Sequence, residues 1–80
     1  MKARVYVTLK EEVLDPQGDA VRRALTAQGF DGVGRVRVGK LIEIELQASD
    51  ASAAEKELAA MCAKLLANPV IEDFRFELDA

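Results

Sequence analysis

The chain has 80 residues, of which 50% are apolar and 31% charged, and a formal net charge of -3. Such composition is that of a folded globular chain rather than a disordered tail, and its mildly acidic balance offers nucleic acid no electrostatic footprint, because phosphate binding rests on clustered Lys and Arg. One cysteine and no histidine exclude an internal disulfide and a structural zinc site, which fits a reducing compartment.

Strand-like alternation begins almost at Met1, with no apolar stretch for a signal peptide or membrane span, so a soluble, unprocessed protein is expected. Val5, Val7 and Leu9 alternate with Tyr6 and Thr8, the period of a half-buried first strand. Asp15 then offers a helix cap, with Pro16 at the first helical position, where its missing N–H costs nothing. The helix is expected to bury Val21, Ala24 and Leu25 and to stop at Gly29, which tolerates a left-handed cap. Gly18 is out of place in a first helical turn, where glycine costs roughly 1 kcal/mol against alanine; it marks either close backbone approach or a fray point.

Val36 and Val38 form a second alternation, and Ile42, Ile44 and Leu46 a third, with Gly39 and Lys40 between them. The pattern predicts a hairpin. An odd-length connection over Gly39 to Leu41 sets Val36 opposite Ile44, and Arg37 and Arg35 opposite Glu43 and Glu45, an ion-pair ladder facing away from the helices. A second helix, with caps on offer at Ser49, Asp50 and Ser52, carries Ala54, Leu58, Met61, Cys62 and Leu65 on one stripe and must end before Pro69. Phe74, Phe76 and Leu78 alternate as the last strand.

The order strand, helix, strand, strand, helix, strand predicts an α+β, ferredoxin-like βαββαβ two-layer sandwich: a four-stranded antiparallel sheet with both helices on one face. At 80 residues the whole chain is one domain, residues 1–80, and so small a core favours association with further copies. Tyr6, Arg35, Glu43 and Glu45, on the mixed-charge outer sheet face, are candidate residues of an oligomer interface.

Several chemistries of this element order fail on residue type. Base stacking needs exposed aromatics on the central strands, and only Tyr6 is available. A soft-metal chaperone needs paired thiolates in the first loop, which holds none. An acylphosphatase-like hydrolase needs an asparagine beside the first strand, whereas Asn68 is far along the chain. Cys62 lies on the apolar stripe of its helix and reads as buried filler, and Glu43 and Glu45 read as a salt ladder rather than an acid/base pair. An amino-acid-sensing regulatory domain of the ACT type keeps the same element order and is the alternative reading, although its glycine-containing loop directly after the first strand is missing.

Three segments, Val13-Leu14-Asp15-Pro16-Gln17-Gly18, Val36-Arg37-Val38-Gly39-Lys40 and Leu65-Leu66-Ala67-Asn68-Pro69-Val70-Ile71-Glu72, together resemble the PurS family, the small subunit of phosphoribosylformylglycinamidine synthase. The resemblance covers essentially the whole chain. It implies a cytoplasmic role in de novo purine biosynthesis, with no active site and no cofactor in this subunit. A homodimer or homotetramer would bridge an ATP-dependent synthetase subunit of the PurL type and a glutaminase of the PurQ type so that ammonia passes between them. On this reading Leu14, Asp15, Pro16, Gln17, Gly18, Arg37, Gly39, Lys40, Asn68 and Pro69 are candidate partner contacts, since exposed irregular segments carry recognition; no nucleic acid and no membrane is involved.

Overall fold

The structure is a computed structural model and describes residues 1–79. Its elements are strand β1 (Lys2–Leu9), helix α1 (Pro16–Ala27), strand β2 (Lys40–Glu45), helix α2 (Ala51–Met61) running into one π-helical turn (Cys62–Leu66), and strand β3 (Glu72–Asp79). The strands form an antiparallel sheet in the order β2-β1-β3. Val5 lies opposite Ile42 on one side and Phe76 on the other, so the odd residues of the central strand share one face with the apolar residues of both neighbours.

That face makes the core. Ala3, Val5 and Val7 are buried in one cluster with Ala54, Leu58 and Cys62 from α2 and its continuation. Asp50 caps α2 by accepting from Ala53 N at 2.8 Å. The π-helical turn keeps the helix seated at its far end: the Ala67 N–H donates to Cys62 O at 3.1 Å, and both residues are buried. Pro69 then prevents continuation, and Asn68 closes the turn by accepting from Val70 N (3.0 Å) on its side chain and Glu72 N (2.7 Å) on its carbonyl.

The start of α1 is as expected, with the Asp15 side chain accepting from Gly18 N and Pro16 in the first turn. Its stop is also as expected, at Gly29 with φ 97°. Its packing is not. Val21 and Ala24 are exposed and Leu25 only half-buried, so α1 does not cover the sheet and α2 alone supplies helical core residues. The two helices therefore do not share the layer that a four-stranded sandwich requires.

The expected second strand and hairpin are corrected too. Among the described residues there are three strands, and residues 34–39 form none. The chain runs through Gly39 into β2 without reversing. Gly39 lacks the positive φ of a tight hairpin turn, and a Cβ there would lie 2.8 Å from Val7 O, which places the segment against the end of β1. The ladder of Arg35 and Arg37 with Glu43 and Glu45 is absent for the same reason: residues 34–39 lie along the connection after β1. Arg35 donates to Glu11 O at 3.0 Å, while Arg37 donates to Val13 O at 2.9 Å and Lys10 O at 2.8 Å. α1 and this run extend the molecule to 51 × 26 × 14 Å. No helix among the described residues is long and apolar enough to cross a membrane.

Leu58, fully buried under the sheet, is the residue on which α2 docking rests. Leu58→Ala is expected to lose about 3 kcal/mol in urea denaturation, within the roughly 2–5 kcal/mol of buried leucine truncations. Leu65→Ala, at a side chain left exposed, should change stability by less than about 0.5 kcal/mol.

Candidate functional site

Local rules build three irregular segments, and the sheet gathers them at one end. Asp15 is the only buried charged residue among those described, at 6% exposure. Its two carboxylate oxygens divide their work: Oδ1 accepts from Gly18 N at 2.9 Å, starting α1, and Oδ2 accepts from Val38 N at 2.8 Å, fastening the run ahead of β2. These hydrogen bonds, Gly18's first and Val38's second, hold the Asp15 carboxyl below the usual carboxylate range against the opposing effect of desolvation. Gly18 is explained by close approach rather than fraying, because a Cβ there would fall 2.0 Å from Val36 O.

Arg37, expected as a recognition charge, instead satisfies carbonyls of the connection after β1. Lys40 remains exposed, with its Nζ 3.6 Å from Glu72 Oε2. Glu72 also accepts from Asn68 N through Oε1 at 2.7 Å. The start of β3 thus joins the Gly39-Lys40 segment to the Asn68-Pro69 turn. A cleft of about 180 Å³ at the same place is lined by Asp15, Gln17, Gly39, Lys40 and Glu72, among others. Residues from all three expected segments therefore meet at one end of the sheet. Leu14 projects from this end at 84% exposure, and Pro16, Gln17, Asn68 and Pro69 are exposed as well.

Glu72 was missed as a site residue when the sequence was read alone. Its position after the Asn68-Pro69 turn was visible, but its two partners are four and thirty-two positions away on different elements, so no local spacing signals it.

The four residues expected at an oligomer interface are split. Tyr6, Glu43 and Glu45 lie on the outer sheet face, whereas Arg35 sits on the extended run, paired with Glu11. On that face Tyr6 donates to Glu77 Oε1 at 2.6 Å, which raises the phenol above its usual range, and the Arg75 guanidinium stacks 3.9 Å over the ring. Arg4 donates to Asp79 Oδ2 at 2.8 Å. Cys62 is buried, and desolvation pushes its thiol up, away from the thiolate that a nucleophile requires. Asp15, Arg37 and Glu72 at the node hold backbone, and Tyr6, Arg4, Glu77 and Asp79 on the sheet face hold one another.

Comparison with known proteins agrees with this picture. A family model described as "PurS: Phosphoribosylformylglycinamidine (FGAM) synthase" matches residues 2–80. The chain is 52% identical over 77 residues to the phosphoribosylformylglycinamidine synthase subunit PurS of Synechocystis, covering 96% of this chain and 77% of that one. The structure of PurS from Bacillus subtilis superposes with a TM-score of 0.88 at 48% identity, over 99% of this chain and 98% of the other. A chain in the structure of PurLQS from Thermotoga maritima gives 0.89 at 30% identity, over 95% and 93%.

Two measurements test the Asp15 node. Gly18→Ala forces α1 and Val36 apart and should destabilise by about 1–3 kcal/mol, despite the gain of about 1 kcal/mol in helix propensity. The lowered Asp15 pKa contributes stability that is present above the ordinary carboxylate range and is lost as pH falls through the folded value. Urea midpoints of Asp15→Asn should accordingly fall below those of the unaltered chain at pH 7, with the gap closing towards pH 3.

Proposed function

The chain belongs to the PurS family of phosphoribosylformylglycinamidine synthase subunits, and from that premise we propose that it serves de novo purine biosynthesis as a bridging subunit with no active site of its own. Its partners on this reading are an ATP-dependent synthetase of the PurL type and a glutaminase of the PurQ type, between which it helps ammonia pass without loss to water. The relative in the PurLQS structure supports this choice of partners. The compartment is the cytoplasm, and the chain acts as a single domain.

The observation that carries the reading is the apolar surface that the fold leaves uncovered. Leu14, 84% exposed, lies beside the node where the three irregular segments meet, and Phe30, 55% exposed, follows the far end of α1. Apolar side chains in these positions are free to be covered by a partner, which would add buried area to a chain whose own core is small. Lys40, Gln17 and the Asn68-Pro69 turn at that node are the proposed contacts with the synthetase or glutaminase. Asp15, Gly18, Arg37 and Gly39 shape the node from within, and Leu14 and Pro16 belong to its exposed rim.

The chain also associates with itself, as a dimer or tetramer. Val38 N and Val36 O face the connection after β1 and α1, so the backbone groups of Arg35 and Arg37 point to the other, open edge. Across a second copy that edge fits the open edge of β2 in the register expected for the hairpin, with Val36 opposite Ile44, Arg37 opposite Glu43 and Arg35 opposite Glu45. The four-stranded ferredoxin-like order is then completed between chains rather than within one.

Reconstitution tests the bridging role. Synthetase and glutaminase mixed with ATP, substrate and glutamine should form the amidine at least about tenfold faster when this chain is present. Equal rates with and without it, or turnover by the isolated chain, would rule the proposal out.

A further inference from the structure

Backbone groups on two separate segments are matched to one another without meeting. On β2, Leu46 N donates to Met1 O at 2.8 Å and Leu46 O accepts from the Met1 ammonium at 3.0 Å. By the alternation of an antiparallel ladder, the backbone groups of Ile42 and Ile44 also face β1, and those of Glu43 and Glu45 face outward. On the run ahead of β2, Asp15 takes Val38 N and Val36 O lies against Gly18, which turns the backbone groups of Arg35 and Arg37 the other way. Folded back at Gly39, the run would meet β2 with Arg37 on Glu43 and Arg35 on Glu45, so that donors meet acceptors and unlike charges oppose.

The apolar surfaces agree. Ile42 and Ile44 are only partly buried on the helix-facing side of β2, while α1 leaves Val21 41% exposed, Ala24 exposed and Leu25 half-buried. A right-handed connection from β1 through α1 to a strand beside β2 lays α1 on the face that α2 occupies, above Ile42 and Ile44. Each uncovered surface then covers the other.

We propose that α1 and residues 34–39 form a strap that closes on the sheet of its own chain, giving a closed monomer in reserve that opens before it can bridge two enzymes. This goes beyond the self-association proposed above, because it states what one chain does when no second copy is near. The open form is held by Val38 on Asp15 and by Arg35 and Arg37 on carbonyls of the connection after β1. Closing exchanges those carbonyls for Glu43 and Glu45 and gives up the pairs of Lys40 with Val7 and Leu41 with Tyr6, which become the turn. Gly39 permits that turn, since glycine accepts the positive φ that hairpin loops require. Contacts within one chain act at an effective concentration on the order of 1 mM, so dilution favours closure.

Paired cysteines test it. In the open form Arg35 sits with Glu11 beyond one end of β1, whereas Glu45 lies opposite Lys2 at the other, so a disulfide within one chain of the Arg35→Cys, Glu45→Cys variant reads closure. Opposed residues of an antiparallel pair, about 5.5 Å apart, are within disulfide reach, and diagonal neighbours at about 7–8 Å are not, which makes Arg35→Cys with Glu43→Cys the out-of-register control. Oxidised at nanomolar concentration, the first variant should form its intrachain disulfide at least about tenfold faster than the second. Equal rates, which an unfolded chain would give, or no intrachain disulfide at any dilution, would overturn closure. The oxidised monomer should support glutamine-fed turnover at least about tenfold less well than the same variant reduced, and equal turnover would overturn its standing as a reserve. Turnover that needs no chain at all would sink the bridging role and leave closure to be judged by the disulfides.

Discussion

A single buried carboxylate organises the molecule. Asp15 accepts one hydrogen bond from the first turn of α1 and another from Val38, twenty-three residues on, so that the helix and the run ahead of β2 leave the sheet together. Gly18 permits the contact because its missing side chain leaves room for Val36 O. With Val38 held beside Asp15, the chain enters β2 directly and pairs with β1 from Val7 back to Lys2, with no occasion to turn at Gly39. The absent fourth strand, the uncovered face of α1 and the elongated shape all follow from that geometry.

The consequence for stability is a divided interior. One half is conventional: three strands alternate their apolar residues onto α2, and Ala3, Val5, Val7 and Leu58 are sealed from water. The other half is left open, with Val21, Phe30 and Leu14 exposed on the projection. A domain of this size has little stability to spare. Its exposed apolar side chains are those that the proposed association would cover. Family membership and the uncovered surface are independent observations that lead to this same reading.

Much of the fold is legible in the residues because it is written in short-range rules. The period of two around Val5 and Val7, the caps at Asp15 and Asp50, the left-handed stop at Gly29 and the break at Pro69 each depend on neighbours within about five positions. All of them appear where expected. The π-helical turn at Cys62–Leu66 is less legible: the stripe through Cys62 and Leu65 continues an ordinary helical period, and only docking on the sheet selects the wider turn that brings Ala67 inward. Leu65 is consequently exposed.

The candidate site divides in the same way. Its segments were recognisable by residue type, but their convergence on Glu72 and the inward commitment of Arg37 were not, since both are contacts between elements distant in the chain. Taken alone, the sequence determined which residues alternate, where helices begin and end, and which family the chain resembles. That Val36 and Val38 form no strand within the chain was decided only in three dimensions. The alternation by itself satisfies a hairpin, and it is the long-range hydrogen bond from Val38 N to Asp15 that draws the segment to the start of α1 instead.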